Sequence, residues 1–463
     1  MHPIFVVLIA IAIVLAFAWW KRKTVANMWK IEDLKAKILV TIGFVAIYRF
    51  GTQVVLPGID PSLLVQLREQ TGTGLLSLLD MFSGGAFSNA SVFALGVMPY
   101  ISASIVVQLL GMVIPYFQKM QREGESGRRK MNQITRYLTI AVLVVQGFAY
   151  MQNLRYQAAG AINPSISWIG FMITSIIILA AGSMFILWIG ERITDKGLGN
   201  GISLIILVGI IARLPQALVQ EFTSRTAETG NGGLIMFLIE LIVLYAIISG
   251  AIMLVQGVRK VPVQYAKQVV SGKQYGGARQ YIPLKVNAAN VMPIIFAQAI
   301  LFIPLAFVNY AALEYAPEWI RLMIDMKSWL YYLVFAILII AFTIFYTAIT
   351  VNPTQMAEDI KRNNGFISGV KPGKPTADYL DVIMSRITWP GALLLAVVAI
   401  LPAFAAMFGV KAEFAQFFGG TSLLILVGVV LDTLQQIESH LLMRHYDGLL
   451  KNGRIKGRSG AAY

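Results

Sequence analysis

The sequence predicts an all-α polytopic membrane protein, and three observations support this class. The 463 residues are 57% hydrophobic and 13% charged, and a mean hydropathy of +0.69 lies outside the soluble globular range. The apolar residues form runs of about 20, the length of helix that crosses a bilayer. Lysine and arginine between the runs follow the pattern that orients membrane helices. Helices are expected because a single spanning segment must satisfy its own backbone hydrogen bonds.

The first apolar run covers residues 3–20 and is followed at once by Lys21, Arg22 and Lys23. A secretory signal peptide carries its positive charge before its apolar run, not after it. We therefore expect residues 1–27 to form an extra, uncleaved N-terminal transmembrane helix with its N-terminus outside. The alternative is that translation starts at Met28.

Ten further apolar runs follow and form two groups of five. They lie near residues 38–56, 90–115, 137–154, 167–190, 200–220, 233–255, 288–308, 328–350, 389–409 and 419–440. Because five is odd, the second group enters the membrane from the opposite side, as in an inverted repeat with a site at its midplane. We expect an N-terminal half at residues 28–220, a C-terminal half at 221–440 and a basic cytoplasmic tail at 441–463.

The basic residues indicate which side faces the cytoplasm. Alternating the runs through the membrane puts most of the 38 lysines and arginines on the side of the long loops and the C-terminus, and leaves few, such as Arg225, in outer loops. This is the positive-inside rule, so we expect a multi-pass protein whose long loops and C-terminus are cytoplasmic. The absence of cysteine fits a bacterial cytoplasmic (inner) membrane. Most of the net charge of +15 is then explained by basic residues that orient the helices in the membrane, and no DNA partner is expected.

The stretch at residues 75–108 begins like a membrane helix and then breaks off. An apolar run at 75–82 stops at the Ser-Gly-Gly of 83–85, and the next run starts near Ala90. Seven or eight helical residues cover roughly 12 Å of a bilayer core of about 30 Å. Non-helical backbone at membrane depth is tolerated only where protein buries it or where it lines a cavity. The first piece is either a half-helix in a funnel or a re-entrant loop without a moving role.

Two predicted cytoplasmic loops are longer than topology requires. Residues 256–286 include an alternating apolar stretch from Val261, which predicts a short β-hairpin, and residues 351–388 are rich in Gly and Pro, which is typical of turns. We interpret them as a pair of basic protrusions that dock a large acidic or RNA-containing cytosolic partner; the alternative is a pair of solvated connectors. The candidate docking residues are Arg259, Lys260, Lys273, Arg279, Arg362, Lys371 and Lys374.

Motifs for catalysis or metal binding are missing from the sequence. It contains no cysteine, no HExxH and no GxSxG. Residues 369–375 approach a phosphate loop but have one residue too few between the glycines and a proline where Ser or Thr belongs. We expect no enzyme activity, cofactor or metal. The ionisable residues within spans are too scattered for a proton relay, and structural pairing is their expected role: Arg49, Arg213, Glu240 and Asp432.

Several motifs together resemble the SecY/Sec61 family of protein-translocase channel subunits. The run at 91–108 contains Gly96 and Pro99, and a second signature lies at 188–203. Shorter matches occur at 124–129, 283–287 and 419–422. The resemblance extends from about residue 28 to 456. It implies a ten-helix inverted-repeat bundle shaped like an hourglass, to which this chain adds its N-terminal helix.

The resemblance implies three sets of site residues. A pore ring at the waist would consist of Val97, Ile101, Ile202, Ile206, Ile295 and Ile425. A plug at 75–85 would consist of Leu75, Leu78, Leu79, Met81, Phe82, Ser83, Gly84 and Gly85. A lateral gate between the halves would carry Ser102, Gln146 and Gln298. Residues 97 and 101, like 202 and 206, are spaced to share one helix face.

The resemblance further implies a plugged, laterally gated channel that moves unfolded polypeptides across the cytoplasmic membrane and hydrophobic segments into it. Since the sequence has no nucleotide site, a bound motor or the ribosome must supply the energy. The implied partners are SecE and SecG in a heterotrimer, the SecA motor, the ribosome, the nascent or unfolded polypeptide, and membrane lipid. A secondary small-solute transporter and a pore-less scaffold or insertase are the alternatives.

This sequence departs from the family pattern in its loops. Lys371 stands where many members carry arginine, which keeps the charge but loses bidentate hydrogen bonding. Gly272 and Lys273 stand where an arginine pair is common.

Overall fold

The computed structural model describes residues 31–64, 80–157, 159–163, 166–227, 233–265, 268–270, 273–275, 279–307 and 328–452. The predicted leading helix at 1–27 lies outside the described residues. So do Leu75, Leu78 and Leu79 of the predicted plug, and the last part of the basic tail.

The described chain is mainly helical, with a few short strands. The helices are α1 (Glu32–Gly51), α2 (Met98–Val113), α3 (Pro115–Arg122), α4 (Glu125–Gln157), α5 (Trp168–Lys196), α6 (Gly201–Ala227), α7 (Gly233–Gln256), α8 (Met292–Phe307), α9 (Trp329–Thr350), α10 (Pro353–Arg362), α11 (Lys374–Met407), α12 (Ala412–Ala415) and α13 (Gly420–Asn452). Short 3-10 turns lie at Pro61–Leu63, Ala159–Ala161 and Gln416–Phe418.

The predicted all-α polytopic class is confirmed. Among the described residues, seven helices are long and apolar enough to cross a membrane, and α2 with α3, which meet at a bend of 101°, would add an eighth if the pair is counted as one broken span. These eight coincide with eight of the ten predicted core spans. The other two predicted spans correspond to α1, which is charged at both ends, and to α8, of which 16 residues are described.

Several helices extend beyond the predicted spans. α4 begins at Glu125 and α11 at Lys374, each more than three turns before its apolar run. Hydropathy marks the part of a helix that lies in lipid, whereas the helix itself continues through polar residues until a breaker stops it. The interpretation of 351–388 as turns was therefore wrong for most of that loop, which consists of α10 and the start of α11.

The span predicted to start near residue 90 begins at Met98 instead. Residues 83–97 form turns, because this segment takes left-handed backbone conformations that a right-handed helix excludes. Positive φ angles occur at Gly84, Gly85, Ala90 and Gly96. Pro99 in the first turn of α2 then favours the start of the helix, since its fixed φ suits that position.

The two long loops pack together in one small unit, which we call the β-module. β1 (Val258–Tyr265) pairs antiparallel with β4 (Arg279–Lys285) and with β5 (Gly365–Phe366). A second hairpin joins β2 (Gln268–Val270) to β3 (Lys273–Tyr275). The hairpin predicted from the alternation at Val261 is thus present. The core of the β-module contains Val261, Val263, Leu284, Ile360, Ile367, Leu380 and Met384.

The largest apolar cluster, which we call the central cluster, connects both predicted halves. It joins residues of α5 and α6 with residues of α7, α8, α9, α11 and α13, and it includes Met81 and Phe82. A second cluster lies beside it and joins α4 and α5 to the segment between α1 and α2. The interrupted stretch therefore lies between the two largest apolar clusters.

Candidate functional site

The predicted ring residues all belong to the central cluster or pack against it. Val97, Ile206 and Ile425 are buried members of the cluster, whereas Ile101, Ile202 and Ile295 are half-buried at its edge. They come from the start of α2 and from α6, α8 and α13. The structure thus brings together residues that are far apart in sequence, and their role as a seal stays a prediction.

Local geometry explains how two of these residues share a face although one precedes its helix. Val97 is the cap of α2, and the backbone N–H of Ile101 donates to the Val97 carbonyl at 3.1 Å. This bond continues the helical register by one residue. On α6, Ile202 lies against α5, since a Cβ at Gly190 would be 2.9 Å from its Cγ1.

The described part of the predicted plug, residues 80–85, is buried. It ends a helical turn at Phe82 and continues through Ser83, Gly84 and Gly85 as turns. Met81 and Phe82 belong to the same cluster as the ring residues. Residues 80–85 are therefore inside the protein, where non-helical backbone at membrane depth is tolerated.

The backbone of this segment packs directly against the backbone of α6 at Gly209. A Cβ at Gly209 would lie 2.9 Å from the carbonyl oxygen of Phe82 and 3.2 Å from the backbone nitrogen of Gly84. A Cβ at Gly84, whose φ is +66°, would lie 3.0 Å from the Gly209 Cα. Only a glycine on each side permits this approach, as at close contacts between membrane helices.

Polar groups of α1 hold the main chain of the same segment. The Tyr48 hydroxyl donates to the Ser83 carbonyl at 3.1 Å, and Arg49 Nη1 donates to the Gly84 carbonyl at 2.9 Å. The Ser83 carbonyl also accepts the backbone N–H of Ala86 at 3.4 Å. The donors from α1 thus add hydrogen bonds to a turn that has no regular backbone pairing.

A second arginine holds the segment from α6. Arg213 forms an ion pair with Asp80, and its Nη2 donates to the Ser88 hydroxyl at 3.1 Å. Asp80 also accepts the backbone N–H of Ser88 at 2.8 Å. The expected structural pairing of Arg213 is therefore present, and its partner lies on the predicted plug.

Glu240, for which structural pairing was expected, lies in a buried charge cluster whose other members, Glu221 and Arg225, sequence reasoning missed. Arg225, expected in an outer loop, is buried in α6, where its Nε donates to Glu221 at 3.0 Å and its Nη2 to Glu240 of α7 at 2.6 Å. Glu221 also accepts the backbone N–H of Lys411 at 2.8 Å. The spacing of Glu221 and Arg225 by four residues in a helix was the available signal.

The three predicted gate residues lie on different helices and are not joined to one another by hydrogen bonds in the described part of the chain. Ser102 on α2 and Gln146 on α4 are half-buried, and Gln298 on α8 is buried. The Thr421 hydroxyl donates to Gln298 Oε1 at 2.9 Å. The Nε2 of Gln298 is buried and has no partner among the described residues.

The predicted docking residues lie on the β-module and at its edges. Arg259 and Lys260 on β1, Arg362 at the end of α10, and Lys371 and Lys374 before and at the start of α11 are exposed. Lys273 lies on β3 and Arg279 on β4, and the structure describes only the backbone of these two residues. The module therefore carries basic residues of both loops on one body.

The fold and the site together define a class: polytopic helical membrane proteins in which a broken helical segment is buried at the apolar centre of the bundle. The family model for SecY matches residues 91–434 of this chain. The protein translocase subunit SecY of Corynebacterium glutamicum is 41% identical over 444 residues, which are 92% of this chain and 99% of that protein. The chain belongs to the SecY family.

Two solved structures show the same fold. One concerns the plug domain of the SecY protein, which stabilises the closed state of the translocation channel and maintains a membrane seal; it has a TM-score of 0.59 and 17% identity, over 90% of this chain and 94% of that chain. The other is Sec61 in the canine ribosome–channel complex from the endoplasmic reticulum, with a TM-score of 0.59 and 16% identity over the same shares.

Proposed function

We propose that this protein is the central pore-forming subunit of a general protein-secretion translocase. It is a plugged, laterally gated channel that passes unfolded polypeptides across the cytoplasmic membrane of a bacterium and releases hydrophobic segments into the lipid. The observation that carries the proposal is the convergence, in a chain of the SecY family, of the ring candidates with Met81 and Phe82: three of the six are buried in the same apolar cluster, and the other three pack against it.

An apolar constriction suits this task on physical grounds. A narrow apolar collar excludes ions because water leaves it readily. Apolar contacts are non-directional, so side chains of a passing polypeptide replace those of the plug without a specific partner. A charged lining would retain parts of the substrate instead.

The gate residues would set how hydrophobic a segment must be to leave sideways. A hydrogen bond between membrane helices contributes about 0.6 to 2 kcal/mol. Gln298 has one buried amide nitrogen without a described partner, so a polar group that approaches across the seam would gain a hydrogen bond there.

The energy for transport comes from bound partners. The exposed basic residues of the β-module form the docking surface for the SecA motor and for the ribosome, whose RNA is acidic. SecE and SecG complete the complex within the membrane. The related Sec61 chain is described in a ribosome complex, which supports the ribosome as one of these partners.

Cross-linking of a stalled substrate tests the path directly. Photoreactive amino acids at Ile101 and Ile206 are expected to cross-link to a translocating polypeptide arrested part-way. The same groups at Ile177 and Ile242, which are 63% and 68% exposed on the outside of the bundle, are matched controls that should label lipid. Substrate labelling at the controls but not at 101 and 206 would contradict a central path.

Family membership favours the channel over a small-solute transporter. A transporter would concentrate a solute in sealed vesicles without any cytosolic partner. The channel is expected to move polypeptide only when a motor or ribosome is supplied.

A further inference from the structure

The contacts around residues 80–88 divide into two kinds. Tyr48 and Arg49 of α1 bind main-chain carbonyls of Ser83 and Gly84, so they hold any sequence that adopts this turn. Arg213 of α6 instead forms an ion pair with a side chain, that of Asp80. This second kind of contact depends on the identity of the residues and can be removed from either end.

The ion pair is buried on its acidic side and half-buried on its basic side. The side chain of Asp80 is 7% exposed and that of Arg213 is 22% exposed. The guanidinium also covers the turn, because a Cβ at Gly85 would lie 3.3 Å from Arg213 Nη2. Separating the pair while the segment stays in place would leave the buried carboxylate of Asp80 without its partner, which is costly.

We propose that the Asp80–Arg213 ion pair is a latch that holds the plug against α6. A substrate opens the channel with its hydrophobic signal sequence, and the strength of the latch sets how effective that signal sequence must be. The proposal rests on the proposed function. It makes Asp80 and Arg213 positioning residues that act through the plug on substrate selection.

Apolar contacts and an ion pair differ in what can replace them. A hydrophobic signal segment can take the place of Met81 and Phe82 in the central cluster, since apolar contacts are interchangeable. It offers nothing to replace a carboxylate facing Arg213. Opening therefore requires that the pair be broken and its charges rehydrated, which adds a barrier that hydrophobicity alone does not meet.

A double-mutant cycle on the purified, membrane-reconstituted complex tests the latch. The variants are Asp80→Asn, Arg213→Gln and both together. Asn at position 80 keeps an acceptor for the Ser88 N–H, so Asp80→Asn removes little besides the charge. The matched controls are Glu125→Gln and Arg129→Gln, an ion pair at 2.6 Å whose side chains are 80% and 77% exposed.

Each single variant is expected to raise the resting ion conductance about tenfold, which corresponds to a shift of roughly 1.4 kcal/mol between the closed and the open channel. Each is also expected to export a substrate with a weakened signal sequence. The double variant should conduct no more than either single one, because one interaction is lost in all three and only the single variants leave an unpaired charge. The control variants should match the parent. The decisive measurement is the export of substrates with weakened signal sequences, because a purely structural role of the pair would not increase it.

Additive effects of the two substitutions, or pair variants that seal and select like the parent, would overturn the latch. A variant that lacks residues 75–85 separates this outcome from failure of the channel itself. If that deletion conducts while the pair variants stay sealed, only the latch is wrong. If the deletion also fails to conduct, the proposed function is wrong. Should Arg213→Gln not fold, Asp80→Asn alone decides.

Discussion

At the scale of single residues, the site depends on a glycine whose importance hydropathy does not reveal. Gly209 lies among isoleucines and leucines of α6, and sequence reasoning passed over it. Its absent side chain leaves the space in which the backbone at Phe82 and Gly84 lies. Close approach of two backbones is a property of the fold, so no pattern in α6 alone could indicate it.

Replacing Gly209 by alanine is expected to displace the plug. The new Cβ would meet backbone atoms, which cannot rotate away, and overpacking of this kind costs about 1–3 kcal/mol. We expect a raised ion leak through resting channels, measured as conductance in planar bilayers. Gly250→Ala, in α7 with nothing within 4 Å of its Cβ position, is the control, and equal leak in the two variants would refute the packing argument.

The buried charge cluster gives a second residue-scale prediction. Arg225→Gln leaves Glu221 and Glu240 without a cation in a site where both are buried. The loss of stability should be about 3–5 kcal/mol, read from thermal unfolding in detergent. Glu240→Gln should cost less, since the bond between Arg225 and Glu221 survives. Arg129→Gln, at an exposed pair, should change stability by at most about 1 kcal/mol. The reverse order for the two buried variants would contradict the proposed pairing.

At the scale of elements, apolar periodicity and length predicted the spans but not their ends. The starts of α4 and α11 lie in polar sequence, where a helix continues for lack of a breaker. α2, by contrast, starts later than the hydropathy predicts, because Ala90 and three glycines adopt positive φ. That alanine in a left-handed conformation is set by its surroundings, not by its own preference. The ion pair of Arg213 with Asp80 likewise depends on how α6 meets the interrupted stretch.

The β-module leads to a prediction about docking. Reversing charge at Arg259 and Lys371 together should weaken binding to ribosomes about tenfold, more strongly at low salt, because phosphate contacts are electrostatic. Co-sedimentation of the solubilised complex with ribosomes measures this. Arg128→Glu together with Arg129→Glu, both exposed at the start of α4 and predicted to lie on the same side, changes the net charge equally and is the control. Equal weakening by the control would indicate non-specific attraction.

At the scale of the whole molecule, the ring can be tested as a seal. Ile101→Gly and Ile206→Gly are expected to raise resting conductance, because each widens and wets the constriction. Ile211→Gly, on the same helix as Ile206 but 45% exposed, controls for the roughly 1 kcal/mol that glycine costs a helix. If the control leaks as much as the ring variants, the seal lies elsewhere.

The long helix α11 connects the two ends of the structure in a way that has a mechanical consequence. Leu380 belongs to the core of the β-module, and Leu395 belongs to the central cluster. One rod of 34 residues, about 51 Å at 1.5 Å per residue, is thus anchored in both bodies. A partner that tilts the β-module would pull on a lever whose far arm packs in the central cluster. Pro390, between the two anchor points, is where that lever would flex.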